Sequence, residues 1–136
     1  MPRQGARRVW SDSRGGLWIT RSNSGDLFRY DSTNDSWRRR WHLPGNRPQP
    51  YAVYVDDTDA VWVNDWGANA ILSFDPKTER FESFPLPDSY ANVRQLAGRK
   101  GDVWGAESAA CGAVKETSPE RCQSLVLAPR PTVPLD

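Results

Sequence analysis

A tetrapeptide ending in tryptophan recurs along this chain of 136 residues, as GGLW ending at Trp18, DAVW ending at Trp62 and GDVW ending at Trp104. The tryptophans stand 44 and 42 residues apart, and self-similarity at such a period marks an array in which each repeat is one blade of a propeller. A blade cannot bury its apolar faces alone, so the repeats have to stack on one another or meet apolar surface elsewhere.

The repeat extends well beyond the tryptophan. LWITRSNSGDLFRYDSTNDSWRRRWHLP, residues 17–44, runs beside VWVNDWGANAILSFDPKTERFESFPLP, residues 61–87. Leu27 falls on Ile71, Tyr30 on Phe74, Asp31 on Asp75 and Trp37 on Phe81, so Trp37 is expected to pack between blades. Each unit reads as four short strands with alternating side chains, the period expected when one face is buried. In the second unit these are residues 51–55, 60–65, 70–74 and 80–84, separated by Asp56–Asp59, Gly67–Asn69 and Asp75–Thr78. Asp, Asn, Gly and Pro favour turns through local hydrogen bonds, tolerance of positive φ and a preset φ, and no stretch offers a convincing helix.

The third unit opens with strands over 92–97 and 102–107, then departs from the pattern. Val114 and Leu125–Leu127 can supply further strands, out of register with the other units, and the proline-rich residues 128–136 read as an extended tail. The fold class expected is therefore all-β: propeller blades of four antiparallel strands, two complete and one partial, with units over about 7–44, 51–87 and 92–127. Closed propellers typically have 4 to 8 blades, so about three blades leave open apolar faces, which reads first as a segment of a longer propeller or a truncated gene and second as a half-propeller that self-associates through those faces.

Charge and composition remove several functions. Residues 1–47 hold ten Arg against four Asp, a net +6, while residues 48–91 hold two basic residues against eight acidic ones, a net −6; the plainest reading is solvated surface. Trp37-Arg38-Arg39-Arg40-Trp41 is a weak nucleic-acid footprint in a chain of net charge +1. A membrane-spanning helix needs a run of about 18 apolar residues, which is missing, and Met1–Arg8 lacks the apolar segment of a signal peptide. Cys111 and Cys122 flank a loop that a disulfide can close in an oxidising compartment. His42 is the single histidine, which excludes an HExxH site or a histidine cluster within this chain. The acidic turn at Asp56–Asp59 lacks the glycine and closing glutamate of an EF-hand loop and reads as a hairpin turn.

In a four-stranded blade the start of the first strand and the end of the second lie on one face of the disc, close to the central channel. That rim pairs Arg7 with Arg21, Tyr51 with Asp65 and Val93 with Glu107, with Asn64 and Arg94 beside them. Carboxylates, a tyrosine and arginines there have the chemistry to ligate Mg2+, to act as general base and anion stabiliser, or to form a polar rim with no chemistry.

VWVNDWGANAILSFDP followed by TERFESFPLP resembles the blade repeat of the virginiamycin B lyase, or streptogramin lyase, family, and GDVWGAES resembles its next repeat. The likeness covers about residues 9–107. It implies a seven-bladed propeller that opens the ester of a cyclic depsipeptide antibiotic by Mg2+-dependent elimination, in which a base removes the proton α to a carbonyl. The family uses a histidine at the start of a first strand and a glutamate at the end of a second. By that correspondence Glu107, Asp65 and Tyr51 are the candidate catalytic residues, and Arg21, Asn64 and Arg94 the candidates for binding a small-molecule or peptide-like ligand. The family histidine has no counterpart, since Tyr51 and Val93 occupy its positions. Unit one, through LWIT and LFRYD, also resembles the propellers of two-component sensors, so a non-catalytic binding module and an inactive remnant stand beside the lyase reading.

Overall fold

A computed structural model describes residues 5–107 and the backbone of one further strand at 125–129. Among these residues there is no helix, and eleven strands form three antiparallel sheets. Blade one comprises β1 (Ala6–Ser11), β2 (Gly16–Arg21), β3 (Asp26–Asp31) and β4 (Ser36–His42). Blade two comprises β5 (Pro50–Val55), β6 (Val61–Asp65), β7 (Ala70–Asp75) and β8 (Arg80–Pro85). Both run in simple sequence order, each strand bonded to the next.

Blade three has β9 (Gln95–Arg99) and β10 (Asp102–Ala106), and β11 (Leu125–Pro129) fills the third position beside β10. The register that the sequence loses after Ala109 is thus recovered, with Leu127 opposite Trp104 and Leu125 opposite Ala106. Its first strand starts later than expected, because Asn92 takes a positive φ of 49° and the Val93 carbonyl is bonded by side chains of blade two. Val114, Cys111 and Cys122, and the tail beyond Pro129, lie outside the described residues.

The turns repeat as strictly as the strands. Positive φ falls at Gly15 and Asp59, at Gly25 and Asn69, and at Asp35 and Glu79, each pair 44 residues apart. A left-handed residue lets the chain reverse within a tight hairpin, and Gly, Asn and Asp tolerate it at least cost.

One side chain organises the first hairpin of each complete blade. Asp12 Oδ1 accepts the N–H of Gly16 at 2.7 Å and of Arg14 at 2.9 Å, while Oδ2 accepts Trp18 Nε1 and Arg29 Nε, both at 3.0 Å. Asp56 repeats the clasp on Thr58, Ala60 and, at 3.0 Å, Trp62 Nε1. The acidic turn is therefore a hairpin device that locks the Trp of its own blade. Burial pushes both carboxyls up, but these hydrogen bonds, mainly from Gly16, Arg14 and Arg29 to Asp12 and from Thr58 and Trp62 to Asp56, more than offset it, leaving each below the ordinary aspartate value of 3.8. Blade three has no aspartate six residues before Trp104; its hairpin is closed by Arg99 Nε donating to Asp102 Oδ2 at 2.7 Å.

Alternate residues of each strand point to opposite faces of a blade. Trp18, Leu27 and Leu43 of blade one pack on Val53, Val55, Val61, Val63, Leu72 and Phe74 of blade two. The other face of blade two, with Tyr54, Trp62 and Ile71, packs on Val93, Leu96 and Val103 of blade three. Blade two is consequently buried on both sides. Trp37 differs from the expectation of inter-blade packing: it is 63% exposed, resting edge-on against Tyr30 and Phe28, because it lies on the face of blade one turned away from blade two.

Replacing Asp56 by alanine strands the buried Trp62 Nε1 and the turn amides without an acceptor, which costs about 1–3 kcal/mol for each group left unpaired. Urea denaturation at neutral pH is expected to show Asp56→Ala destabilised by about 2–4 kcal/mol and Asp56→Asn by less. Because the folded carboxyls titrate below the unfolded value, their contribution is complete above about pH 4 and is lost as the pH falls further; Asp56→Asn should flatten that acid limb.

Candidate functional site

The upper face of the array carries the start of β1, the end of β2, the β4–β5 link, the end of β6 and the start of β9. β5 lies against β1 and β2 on one side and against β9 on the other, so the first strands stand next to one another. Tyr51, at the start of β5, and Trp66, just past β6, stack face to face with ring centroids 4.5 Å apart and planes 8° from parallel. The Arg7 and Arg8 guanidiniums stand over the Tyr51 ring at 5.9 and 5.6 Å, and Arg94 stands over the Trp66 ring at 5.8 Å. The result is a ladder of cation, ring, ring and cation spanning the inner edges of all three blades.

The ladder is held from below. Trp66 Nε1 donates to the Val93 carbonyl at 2.7 Å, and its backbone N–H donates to Gln49 O at 3.1 Å. Asp65 Oδ1 accepts the N–H groups of Gln49 and Gly67 at 2.7 and 2.8 Å, tying the link between blades to the β6–β7 turn. A Cβ on Gly67 would lie 2.1 Å from the Arg47 carbonyl, so only glycine permits this approach. A cavity of about 460 Å3 opens beside the ladder, walled by Arg7, Tyr51, Trp66, Arg47, Ser22 and His42. His42, largely exposed, places Nδ1 3.0 Å from Asp26 Oδ1.

The six residues singled out from sequence separate into two groups. Tyr51 and Arg94 are both in the ladder, joined through Trp66. Asn64 is buried in the seam between blades: its Oδ1 accepts the Ala52 N–H at 2.6 Å and its Nδ2 donates to Val93 O at 2.7 Å. Thr20, the equivalent residue of blade one, donates from Oγ1 to Tyr51 O at 2.6 Å, the same stitch one blade earlier. Asp65 is buried by its backbone duties, with Oδ2 lacking a hydrogen-bond partner among the described residues. Arg21 turns outward, 5.5 Å from the Phe28 ring on the side of blade one. Glu107 is buried just past the end of β10.

The rim spacing places Arg7, and it misses Trp66, Arg8 and the His42–Asp26 pair. The one available signal was the tryptophan in VNDWGAN, standing where blade one has Ser22. Among the described residues no three His, Cys, Asp or Glu side chains converge to hold a metal ion. Two amides occupy Asp65 Oδ1, which leaves Oδ2 as its one oxygen without a hydrogen bond among the described residues. What the rim offers is guanidinium donors beside flat, half-buried aromatic rings, suited to carbonyl or carboxylate oxygens next to an apolar body.

No protein-family model matches the sequence, and no curated protein matches it at sequence level. Solved structures do resemble the fold. A catalytically inactive virginiamycin B lyase from Staphylococcus aureus, with quinupristin, superposes with TM-score 0.72 and 16% identity over 97% of this chain and 44% of that one. A streptogramin B lyase structure gives 0.73 and 17% over 97% and 43%. The WD40 propeller domain of Doa1 gives 0.61 and 11% over 76% and 33%. Such identities carry the fold alone, which is that of a β-propeller, and this chain spans less than half the length of those lyases.

Removing the stitch should cost stability. Asn64→Ala leaves the buried Ala52 N–H without its acceptor, and thermal or urea unfolding is expected to show a loss of about 1–3 kcal/mol, whereas Arg94→Ala, on an exposed side chain, should change stability by less than about 0.5 kcal/mol.

Proposed function

We propose that this chain is the ligand-binding part of a lyase-like propeller, whose rim takes a peptide-like molecule at the Arg7, Arg8, Tyr51, Trp66 and Arg94 ladder. The observation that carries this is the parallel Tyr51–Trp66 stack capped at both ends by guanidinium groups. Rings already ordered by stacking lose little freedom on binding, and arginine forks recognise carbonyl and carboxylate oxygens in a fixed geometry. The cavity beside the ladder is within the size range of small-ligand sites. The likeness in fold to a lyase structure holding quinupristin makes a cyclic depsipeptide the first probe to try.

A second reading keeps the resemblance's reaction, elimination across an ester C–O bond. The place of Glu107 just past β10, at the acidic position that the resemblance assigns to a second strand's end, favours it, since a carboxylate there has the chemistry of a general base. In that reading the C–H electrons form a C=C bond, the ester C–O bond breaks and the carboxylate leaves. Further metal donors would have to come from beyond the described rim.

Calorimetric titration of the chain with quinupristin is expected to give saturable binding, weakened about tenfold, or ~1.4 kcal/mol, by Tyr51→Ala or Arg94→Ala and little changed by Arg21→Ala. Absence of heat, together with no chemical-shift changes at Tyr51 or Trp66, would contradict the binding reading. Chromatography of the same mixture in the presence of Mg2+ tests the second: a ring-opened isomer formed by wild type and abolished in Glu107→Gln supports elimination, and intact quinupristin removes it.

A further inference from the structure

We infer that the seam between blades one and two holds a second ligand site, on the face opposite the rim, for a small organic acid with a flat apolar body. The inference is independent of the proposed rim ligand. A cavity of about 700 Å3 opens at the other ends of the same strands, between the β1–β2 hairpin, the β5–β6 hairpin and the end of β7. It is larger than the cavity beside the ladder and within the size range of small-ligand sites. All its walls come from residues 12–77, inside the two complete blades. Two ties hold the blades together across this face. Ser13 donates its backbone N–H to Asp59 Oδ1 at 3.0 Å and its hydroxyl to Asp59 Oδ2, and Arg39 of β4 pairs with Glu79 of the β7–β8 turn. Trp41, partly buried, forms one wall, stacked on Trp18 with centroids 5.3 Å apart and packed on Phe74.

Hydrogen-bonding capacity in these walls is unevenly spent. Both oxygens of Asp12, of Asp56 and of Asp59 already accept bonds from the fold. Asp75 gives Oδ1 to the Lys77 N–H at 2.9 Å, which leaves its Oδ2 at the exposed mouth. The donors are the reverse. Arg29 commits only Nε, to Asp12, and neither its terminal nitrogens nor the exposed Arg14 guanidinium and Lys77 ammonium have a hydrogen-bond partner among the described residues. Trp41 Nε1 is buried and also lacks an acceptor among the described residues. A buried donor without an acceptor is costly, and an oxygen of a bound acid would satisfy it. Three cations meet four carboxylates here, so recognition rests on directed donors rather than on net charge.

Comparison of the two complete blades separates this donor set from the needs of the fold. The Asp56 clasp holds Trp62 without an arginine: Thr58 stands where blade one has Arg14, Ser73 where it has Arg29 and Ala60 where it has Gly16. Gly16 and Arg29 go together, because a Cβ on Gly16 would collide with Arg29 Nη2. The guanidinium is therefore an addition to blade one, set 5.8 Å from the Trp18 ring beside the cavity. Its Nε bond to Asp12 fixes the fork, leaving Nη1 and Nη2 for the oxygens of a carboxylate. A ring attached to that carboxylate would lie along Trp41 and Pro76.

Titration of the chain with benzoate, 2-naphthoate and indole-3-acetate, followed by the tryptophan indole N–H resonances in heteronuclear NMR, tests this. At least one acid is expected to bind saturably and to move the Trp41 Nε1–H peak downfield, that peak being identified by its loss in Trp41→Phe. Arg14→Ala with Lys77→Ala, both on exposed side chains, should keep the circular dichroism spectrum and weaken that acid about tenfold, as should replacing its carboxylate by the uncharged amide. Tyr51→Ala should leave its binding unchanged, which separates this site from the ladder whatever quinupristin does there. No movement of the Trp41 peak with any of the three acids overturns the inference. So does a shift at Trp66 in its place, which would put the acid on the ladder. Equal binding of acid and amide, or of wild type and the double variant, overturns it as well, because the contact would then be apolar alone.

Discussion

The seam between blades, where Trp18 and Leu27 of one sheet meet Val61, Val63, Leu72 and Phe74 of the next, is the interaction on which the rest of the structure depends. A four-stranded antiparallel sheet has two faces and little interior of its own, so each blade is stable only through what it lies against. The Asp12 and Asp56 clasps serve this seam indirectly. By holding the indole N–H of the blade's own tryptophan, they allow a large, partly polar ring to be buried without a lost hydrogen bond.

The same seam decides which rim residues remain for function. Polar groups near the channel are used twice: Thr20 and Asn64 stitch one blade to the next carbonyl, and Asp65 ties the inter-blade link to a hairpin. What is left facing outward is aromatic and cationic. Trp66 joins the two uses, because its indole N–H shares the Val93 carbonyl with Asn64 while its ring forms the middle of the ladder. Structure and recognition at the rim are therefore coupled through a single peptide carbonyl.

Most of the architecture is legible in the sequence because it is written twice. The strands of blade two agree with the alternation to within one residue, and the left-handed turn positions fall where Gly, Asn and Asp recur. Less was legible wherever the two copies differ or where neighbours in space decide the outcome. Trp37 aligns with Phe81 yet is exposed, since alignment reports which face a residue occupies and not whether another blade covers it. Asn64 looks like a rim ligand by position, and only the geometry shows both ends of its amide already bonded. The ladder draws on three blades and on a bulge between Ala6 and Val9 that brings Arg7 and Arg8 to one ring, which no spacing rule within a unit anticipates.

If stability resides in seams rather than in individual blades, protection should follow the number of seams a strand adjoins. Native-state hydrogen exchange measures this strand by strand. The amides of β6 and β7 in blade two, covered on both sides, are expected to exchange last and by global unfolding, while β2 and β3 of blade one exchange sooner despite equally complete ladders. Equal protection of β2, β3, β6 and β7 in the unassociated chain would contradict the account, because it would mean that each sheet holds itself.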